Sequence, residues 1–262
     1  MKYLAAIAFC FLPLIAGASE LADSALRQIR FEQKIGNQVP LQTEFRDETG
    51  RPVHLGEYFG SKPVLLVLGY YRCPMLCTLV SNGLVESLHD LKANVGGEFN
   101  VLNVSISPVE GPEQAAAKKR EDLRHYGRGG AEGGWHFLTG EEPAIHQLAS
   151  AVGFRYAYDP AIRQYAHPSG FVVLTADGRV SRYFFGVDFR AQELANALRM
   201  AADNRTGSPV HQLLLLCFHY SPFTGKYSAL ILNVVRTIGV GSLLALALFI
   251  SRSIWSDRRL RP

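Results

Sequence analysis

The stretch PVLLVLGYYRCPMLC, residues 63–77, decides the fold of this 262-residue chain. The apolar run at 63–69 predicts a buried strand, and residues 78–91 have a helical pattern. Cys73 and Cys77 therefore lie where a strand turns into a helix, near the positive end of the helix dipole. That position lowers the pKa of a thiol and favours the thiolate, which binds metals and attacks disulfides.

The flanking segments alternate between strand and helix signals. A hairpin is predicted at 41–59, around the turn Asp47-Glu48-Thr49-Gly50. A second hairpin is predicted around Asp177-Gly178. The remaining signals predict strands at 99–107, 135–138, 171–175 and 180–185, and helices at 112–126, 142–152 and 189–202. This order predicts an α/β sandwich of the thioredoxin type, with a central mixed sheet flanked by helices.

Both ends of the chain have patterns typical of membrane-directed segments. Residues 1–18 combine a basic start, an apolar stretch and a small-residue cleavage site, which together predict a secretory signal peptide. Residues 228–251 are long and apolar enough to predict one C-terminal transmembrane helix. Arginines in the tail at 252–262 are expected to stay in the cytoplasm. We therefore expect a single-pass protein of the bacterial inner membrane, with its soluble domain in the periplasm.

Between these ends we expect a lead-in at 19–40, a thioredoxin-like domain at 41–203 and a membrane-proximal linker at 204–227. The net charge of +4 is mild, and the absence of a basic stripe interleaved with aromatics argues against nucleic-acid binding. The chain has only four cysteines, too few for a disulfide framework, so chemical roles are expected for Cys73 and Cys77.

The spacing of the two cysteines leaves two chemistries open. Three intervening residues place the thiols of Cys73 and Cys77 roughly one helical turn apart. Such a pair can bind one soft cation, or form a disulfide after some backbone adjustment. The alternative is an ordinary buried pair, since free cysteine is often buried.

A third ligand is available in His167, just before the strand at 171–175. In a thioredoxin-like fold that loop faces the turn at residues 70–77 that contains Cys73 and Cys77, here called the cysteine turn. Two thiolates and one imidazole form a soft set suited to Cu(I), and to Cu(II) with an added ligand. His167 as a plain loop residue is the alternative. Cys217 and His219 in the linker suggest a second soft site or a disulfide partner, but an inert packed pair is the favoured interpretation.

The chain resembles the Sco/SenC family of copper-handling, thioredoxin-like membrane proteins over roughly residues 41–202. The resemblance rests on Gly69-Tyr70-Tyr71-Arg72-Cys73-Pro74-x-x-Cys77, on Ser105-Ile106-Ser107-Pro108, and on His167 before a strand and the Asp177-Gly178 turn. It implies that Cys73, Cys77 and His167 bind copper. It also implies assembly of the dinuclear copper centre of cytochrome c oxidase subunit II, by copper donation, thiol reduction or both. Other periplasmic copper carriers or thiol reductants are further expected partners.

The chain departs from that family at two positions. Met75 and Ala166 stand where members commonly have an acidic residue, and the predicted anchor is C-terminal where many relatives have an N-terminal one. The main alternative function is a periplasmic thiol-disulfide oxidoreductase, in which Cys73 and Cys77 cycle and His167 tunes their pKa. A peroxiredoxin-like enzyme ranks last, because Arg72 alone does not make a peroxide pocket.

Overall fold

The computed structural model describes residues 29–72, 76–160, 163–207 and 236–243. The strands in chain order are β1 (Arg30–Phe31), β2 (Glu44–Arg46), β3 (Pro52–His54), β4 (Val64–Gly69), β5 (Asn100–Ser105), β6 (Trp135–Leu138), β7 (Phe154–Arg155), β8 (Ala157–Asp159), β9 (Gln164–Ala166), β10 (Gly170–Leu174) and β11 (Val180–Phe185). The α-helices of the same unit are α1 (Leu76–His89), α2 (Pro112–Tyr126), α3 (Glu142–Ala151) and α4 (Ala191–Ala202).

A five-stranded mixed sheet with the order β11-β10-β4-β5-β6 forms the centre of this unit. Strands β4, β5 and β6 are parallel, and Gly69 at the end of β4 is paired with Ser105 at the end of β5. Strand β10 runs antiparallel to β4, with Val172 paired with Leu66. The mixed sheet and its flanking helices confirm the predicted α/β sandwich.

The apolar run in β4 reflects burial on both faces of the sheet. Successive side chains of a strand point to opposite faces, so Leu65 joins one buried cluster and Leu66 joins another. The cluster of Leu65 includes residues of α1, α2 and α4, such as Leu84. The cluster of Leu66 includes Ile145 and Leu148 of α3. Helices therefore cover both faces of the sheet. Because β4 is the middle strand of the five, its end lies at the centre of one edge of the sandwich.

Four short strands lie outside the predicted pattern. Strand β1, within the expected lead-in, pairs with β7, so that Phe31 lies opposite Phe154. Strands β8 and β9 form a small hairpin directly before His167, with Tyr158 opposite Tyr165. The described end of the lead-in, residues 29–40, is therefore part of the packed domain, and the histidine loop contains a hairpin of its own.

The prediction of a C-terminal transmembrane helix is wrong for the part of the chain that the structure describes. Within 228–251 that part is the helix 236–243, eight residues long. No helix among the described residues is long and apolar enough to cross a membrane. This segment belongs to a second compact unit, His211–Pro262, distinct from the unit Met1–Val210.

Several other predictions fall on residues that the structure does not describe. These are the signal peptide at 1–18, Cys217 and His219 in the linker, and the basic tail at 252–262. They stay predictions.

Candidate metal centre

The cysteine turn follows β4, the strand at the middle of the sheet. Cys73 and Met75 lie outside the described residues, and α1 begins at Leu76. Cys77 is therefore in the first turn of α1, where the unpaired backbone N–H groups make the helix end positive. A thiolate at Cys77 stays a prediction from the strand-to-helix junction in the sequence.

His167 lies on the other arm of the candidate site, in the loop that leads into β10. Its side chain is buried, with 7% of the residue exposed. Its Nδ1 lies 3.0 Å from the carbonyl oxygen of Pro168. Because a carbonyl only accepts, Nδ1 is the donor in this hydrogen bond, and Nε2 is the nitrogen through which a neutral imidazole in this tautomer binds a metal.

The register of the sheet explains why this histidine faces the cysteine turn. Strands β10 and β4 are antiparallel, so residues before β10 lie beside residues after β4. The ring of His167 lies 6.0 Å from the ring of Tyr70, which follows β4 directly, and 5.9 Å from the ring of Phe154. The histidine is therefore held against the chain three residues before Cys73.

Tyrosines from the hairpin β8–β9 and its flank extend this aromatic group. The ring of Tyr165 lies 5.6 Å from Tyr70, 5.9 Å from Tyr156 and 5.0 Å from Tyr158. Burial raises the pKa of Tyr156 to about 12, so its hydroxyl stays neutral well above physiological pH. We call the rings of Tyr70, Phe154, Tyr156, Tyr158, Tyr165 and His167 the aromatic flank.

A buried carboxylate holds the other side of the turn. Glu110, which follows β5, accepts hydrogen bonds at Oε2 from the backbone N–H of Tyr71 at 2.8 Å and from the hydroxyl of Ser105 at 2.6 Å. Its Oε1 accepts from the backbone N–H of Arg72 at 2.8 Å. We call Glu110, Ser105 and the two N–H groups the polar flank. They order the backbone immediately before Cys73.

The side chain of Tyr71 fastens the same turn to the sheet. Its hydroxyl lies 2.7 Å from the carbonyl oxygen of Leu138 and 3.1 Å from that of Asn103. Burial, with a smaller effect of Glu110, raises the pKa of Tyr71 well above its usual value. The phenol therefore stays neutral and acts as a hydrogen-bond donor to carbonyls of β5 and β6.

Helix α1 is fastened to α2 by a buried polar group one turn beyond Cys77. Oδ1 of Asp122 accepts from the hydroxyl of Ser81 at 3.0 Å and from Nζ of Lys118 at 2.7 Å. Burial raises the pKa of Asp122, and the Lys118 ammonium opposes that change. These contacts fix the position of α1 relative to α2.

An open cavity of about 300 Å³ lies beside the turn, between its last described residues and α2. Its lining combines both charges and is formed by Tyr71, Arg72, Glu113, Gln114, Ala117, Lys118 and Glu121. Tyr71 and Arg72, the last described residues before Cys73, are thus bordered by solvent on this side.

The structure brings His167 and the residues before Cys73 to one edge of the sheet. Within the described side chains, which exclude both cysteines, no three His, Cys, Asp or Glu residues are grouped closely enough to hold a metal ion. The described residues therefore supply one ligand of the predicted set, and the full set of Cys73, Cys77 and His167 stays a prediction. A buried imidazole with a fixed tautomer fits a soft metal site.

Sequence reasoning missed the role of Glu110. Its position after β5 becomes a signal only once β5 is known to lie parallel to β4 and next to it. Carboxyl ends of parallel strands meet at one edge of the sheet. An acidic residue shortly after the second strand is therefore a candidate partner for the cysteine turn.

Comparisons with known proteins identify the family of this chain. A family model described as SCO1/SenC matches residues 34–203. A candidate electron transfer protein from Aquifex aeolicus VF5 is 26% identical, with a TM-score of 0.58, and the match covers 68% of this chain and 99% of that one. A search of curated proteins found no match.

Two further solved structures share the fold at lower identity. Copper-bound ScoI from Arabidopsis thaliana is 15% identical, with a TM-score of 0.51, covering 65% of this chain and 99% of that one. BsSco, a Sco family cytochrome c oxidase assembly protein with a disulfide switch, is 19% identical, with a TM-score of 0.51, covering 66% and 98%.

Proposed function

Because the chain belongs to the SCO1/SenC family, we propose that it carries copper for the assembly of cytochrome c oxidase. Cys73, Cys77 and His167 bind the ion as two thiolates and one imidazole, a set that suits Cu(I) and, with an added ligand, Cu(II). Copper is the cargo. The client is the dinuclear copper centre of subunit II, which receives the ion or has its cysteines reduced.

The observation that carries this proposal is the position of His167. It is buried, its Nδ1 is engaged by the carbonyl of Pro168, and its ring lies against Tyr70 at the end of β4. An imidazole held in this way loses little entropy on binding a metal, since its orientation is already set. Copper-bound ScoI, named among the solved structures above, supports copper as the ion.

Copper titration of the purified, reduced chain tests the proposal. We expect about one Cu(I) per chain. Substituting Cys73→Ser or Cys77→Ser removes a thiolate, and His167→Ala removes the imidazole, so each variant should bind copper far more weakly. His146→Ala is the matched control, because His146 is an exposed histidine on α3. Unchanged copper binding by His167→Ala would contradict the site.

A second candidate is thiol-disulfide exchange by the same two cysteines. It is favoured by the place of Cys77 in the first turn of α1, where a thiolate is stabilised. In this case the metal-free dithiol of Cys73 and Cys77 reduces a client disulfide, or their disulfide oxidises a client dithiol, and His167→Ala retains that activity. Turnover of a disulfide peptide by copper-free protein, lost in Cys73→Ser, would favour this candidate over copper transport.

The domain is further proposed to act in the periplasm. Support comes from the basic start, apolar stretch and small-residue site at residues 1–18. Mass spectrometry of the protein purified from a bacterial host should find a mature chain that begins at Ser19. A chain that keeps residues 1–18 would contradict the cleaved leader.

A further inference from the structure

Glu110 is outside the proposed ligand set, yet it holds the backbone that leads into Cys73. We propose that Glu110 is a positioning residue: its carboxylate fixes the peptide groups of Tyr71 and Arg72 and thereby sets the orientation of Cys73. This inference rests on the proposed function only where copper binding is measured. Its effect on the dithiol–disulfide equilibrium of Cys73 and Cys77 is independent of any metal.

The hydrogen bonds of Glu110 require a carboxylate. Both of its oxygens accept, Oε1 from Arg72 N–H and Oε2 from Tyr71 N–H and the Ser105 hydroxyl. A glutamine would turn an NH₂ donor toward one of these donors. The residue is 7% exposed, so water offers little compensation for a lost acceptor.

The same contacts connect the two arms of the candidate site. Gly69 is paired with Ser105, which places the Ser105 hydroxyl beside the strand end that Glu110 holds. Tyr71 is fastened to the sheet by its own hydroxyl, and the preceding residue, Tyr70, packs on His167. A shift of this turn would therefore change the relation of Cys73 to His167.

Glu110 also supplies negative charge from another part of the chain. Met75 and Ala166 provide none at the two positions where members of the family commonly have an acidic residue. A buried carboxylate beside the turn favours a bound cation over two unpaired thiolates, because charges interact strongly where water is excluded.

The experiment compares Glu110→Gln with Glu113→Gln in the full chain. Glu113 is an exposed glutamate three residues further on, so the control makes the same chemical change outside the turn. We expect Glu110→Gln to weaken Cu(I) binding by about 10- to 100-fold, as loss of a residue that supports a metal ligand does. Competition with a chromophoric Cu(I) chelator measures this affinity.

A metal-free readout separates positioning from copper chemistry. The equilibrium between the Cys73/Cys77 dithiol and its disulfide is measured against glutathione. In Glu110→Gln it should shift toward the dithiol by about tenfold, because the thiols are less well placed to join and a nearby negative charge is lost. Glu113→Gln should leave both readouts at the wild-type values, and thermal unfolding of all proteins reports on folding.

Each outcome supports or overturns the proposal. Wild-type copper affinity and dithiol equilibrium in folded Glu110→Gln would overturn it, even if the melting temperature falls. If wild-type protein binds no copper but Glu110→Gln still shifts the dithiol equilibrium, the copper function is wrong and the positioning role stands. If Glu110→Gln does not fold, Ser105→Ala removes one donor and should shift both readouts less in the same direction. Unchanged values there would overturn the proposal.

Discussion

The two sides of the cysteine turn are built by different physics. On the side of β10, the aromatic flank holds His167 by ring packing, and Nδ1 of His167 also donates a hydrogen bond to the Pro168 carbonyl. On the side of β5, the polar flank holds the turn through two backbone hydrogen bonds to the Glu110 carboxylate, which also accepts one from the hydroxyl of Ser105. Ring packing contributes mainly through buried area, whereas hydrogen bonds to a carboxylate depend on direction and charge.

This difference separates stability from geometry. The aromatic flank buries large side chains, so its disruption should mainly lower the free energy of unfolding. The polar flank buries little apolar surface but fixes peptide orientation. Its disruption should therefore mainly change the copper affinity and the dithiol–disulfide equilibrium of Cys73 and Cys77. Three substitutions test the contrast, in decreasing order of expected effect on stability.

Tyr70→Ala should have the largest effect on stability. Tyr70 is buried and contacts the rings of Tyr165 and His167, and removing a buried aromatic ring costs about 3 kcal/mol. Urea unfolding of metal-free protein measures the change. Tyr158→Ala is the control, because Tyr158 is 51% exposed and should cost about 1 kcal/mol or less. Equal losses in the free energy of unfolding for Tyr70→Ala and Tyr158→Ala would contradict the larger contribution assigned to the buried ring of Tyr70.

Glu110→Ala should lower the free energy of unfolding by roughly 2 kcal/mol, since it leaves buried donors without their acceptor. The loss is smaller than for Tyr70→Ala because little apolar surface is exposed. Glu113→Ala, on the exposed face of α2, should stay within about 0.5 kcal/mol of wild type in the same urea series. A larger loss for Glu110→Ala than for Tyr70→Ala would reverse the contrast.

Tyr156→Phe should have the smallest effect on the free energy of unfolding, and this effect should be measurable only at alkaline pH. The folded-state pKa of Tyr156 is raised by burial from 10.0 to about 12. Folding thus favours the neutral phenol, and wild-type stability falls as pH rises from about 10 toward 12. Because Tyr156 is only half-buried, we expect the substitution to remove about 1 kcal/mol of that fall. Unfolding curves at pH 8 and pH 11 measure it. Identical pH dependence in both proteins would show that Tyr156 is not desolvated.

Most of the central fold could be predicted from the sequence. The run at 63–69 is apolar and the run at 99–107 is rich in apolar residues because β4 and β5 are buried on both faces, and such runs carry a strong strand signal. The helix α2 and the strands β6 and β11 have the predicted bounds. The pairs β1–β7 and β8–β9 were missed, because strands of two or three residues have no periodicity and form only through tertiary pairing.

The candidate site was predictable only in part. Cys73, Cys77 and His167 were chosen from spacing and from the family resemblance, and the structure places buried His167 beside Tyr70. Glu110 could not be identified as a partner of the turn without knowing that β5 lies next to β4. Its role depends on the pairing of Gly69 with Ser105, and sequence spacing does not report that pairing.

X-ray absorption of the chain loaded with one equivalent of Cu(I) tests the central claim most directly. Two thiolates from Cys73 and Cys77 and one imidazole from His167 predict two sulfur scatterers and one nitrogen scatterer around copper. The imidazole signal should vanish in His167→Ala and persist in His146→Ala. A spectrum with sulfur ligands alone, or an imidazole signal that survives in His167→Ala, would contradict the proposed site.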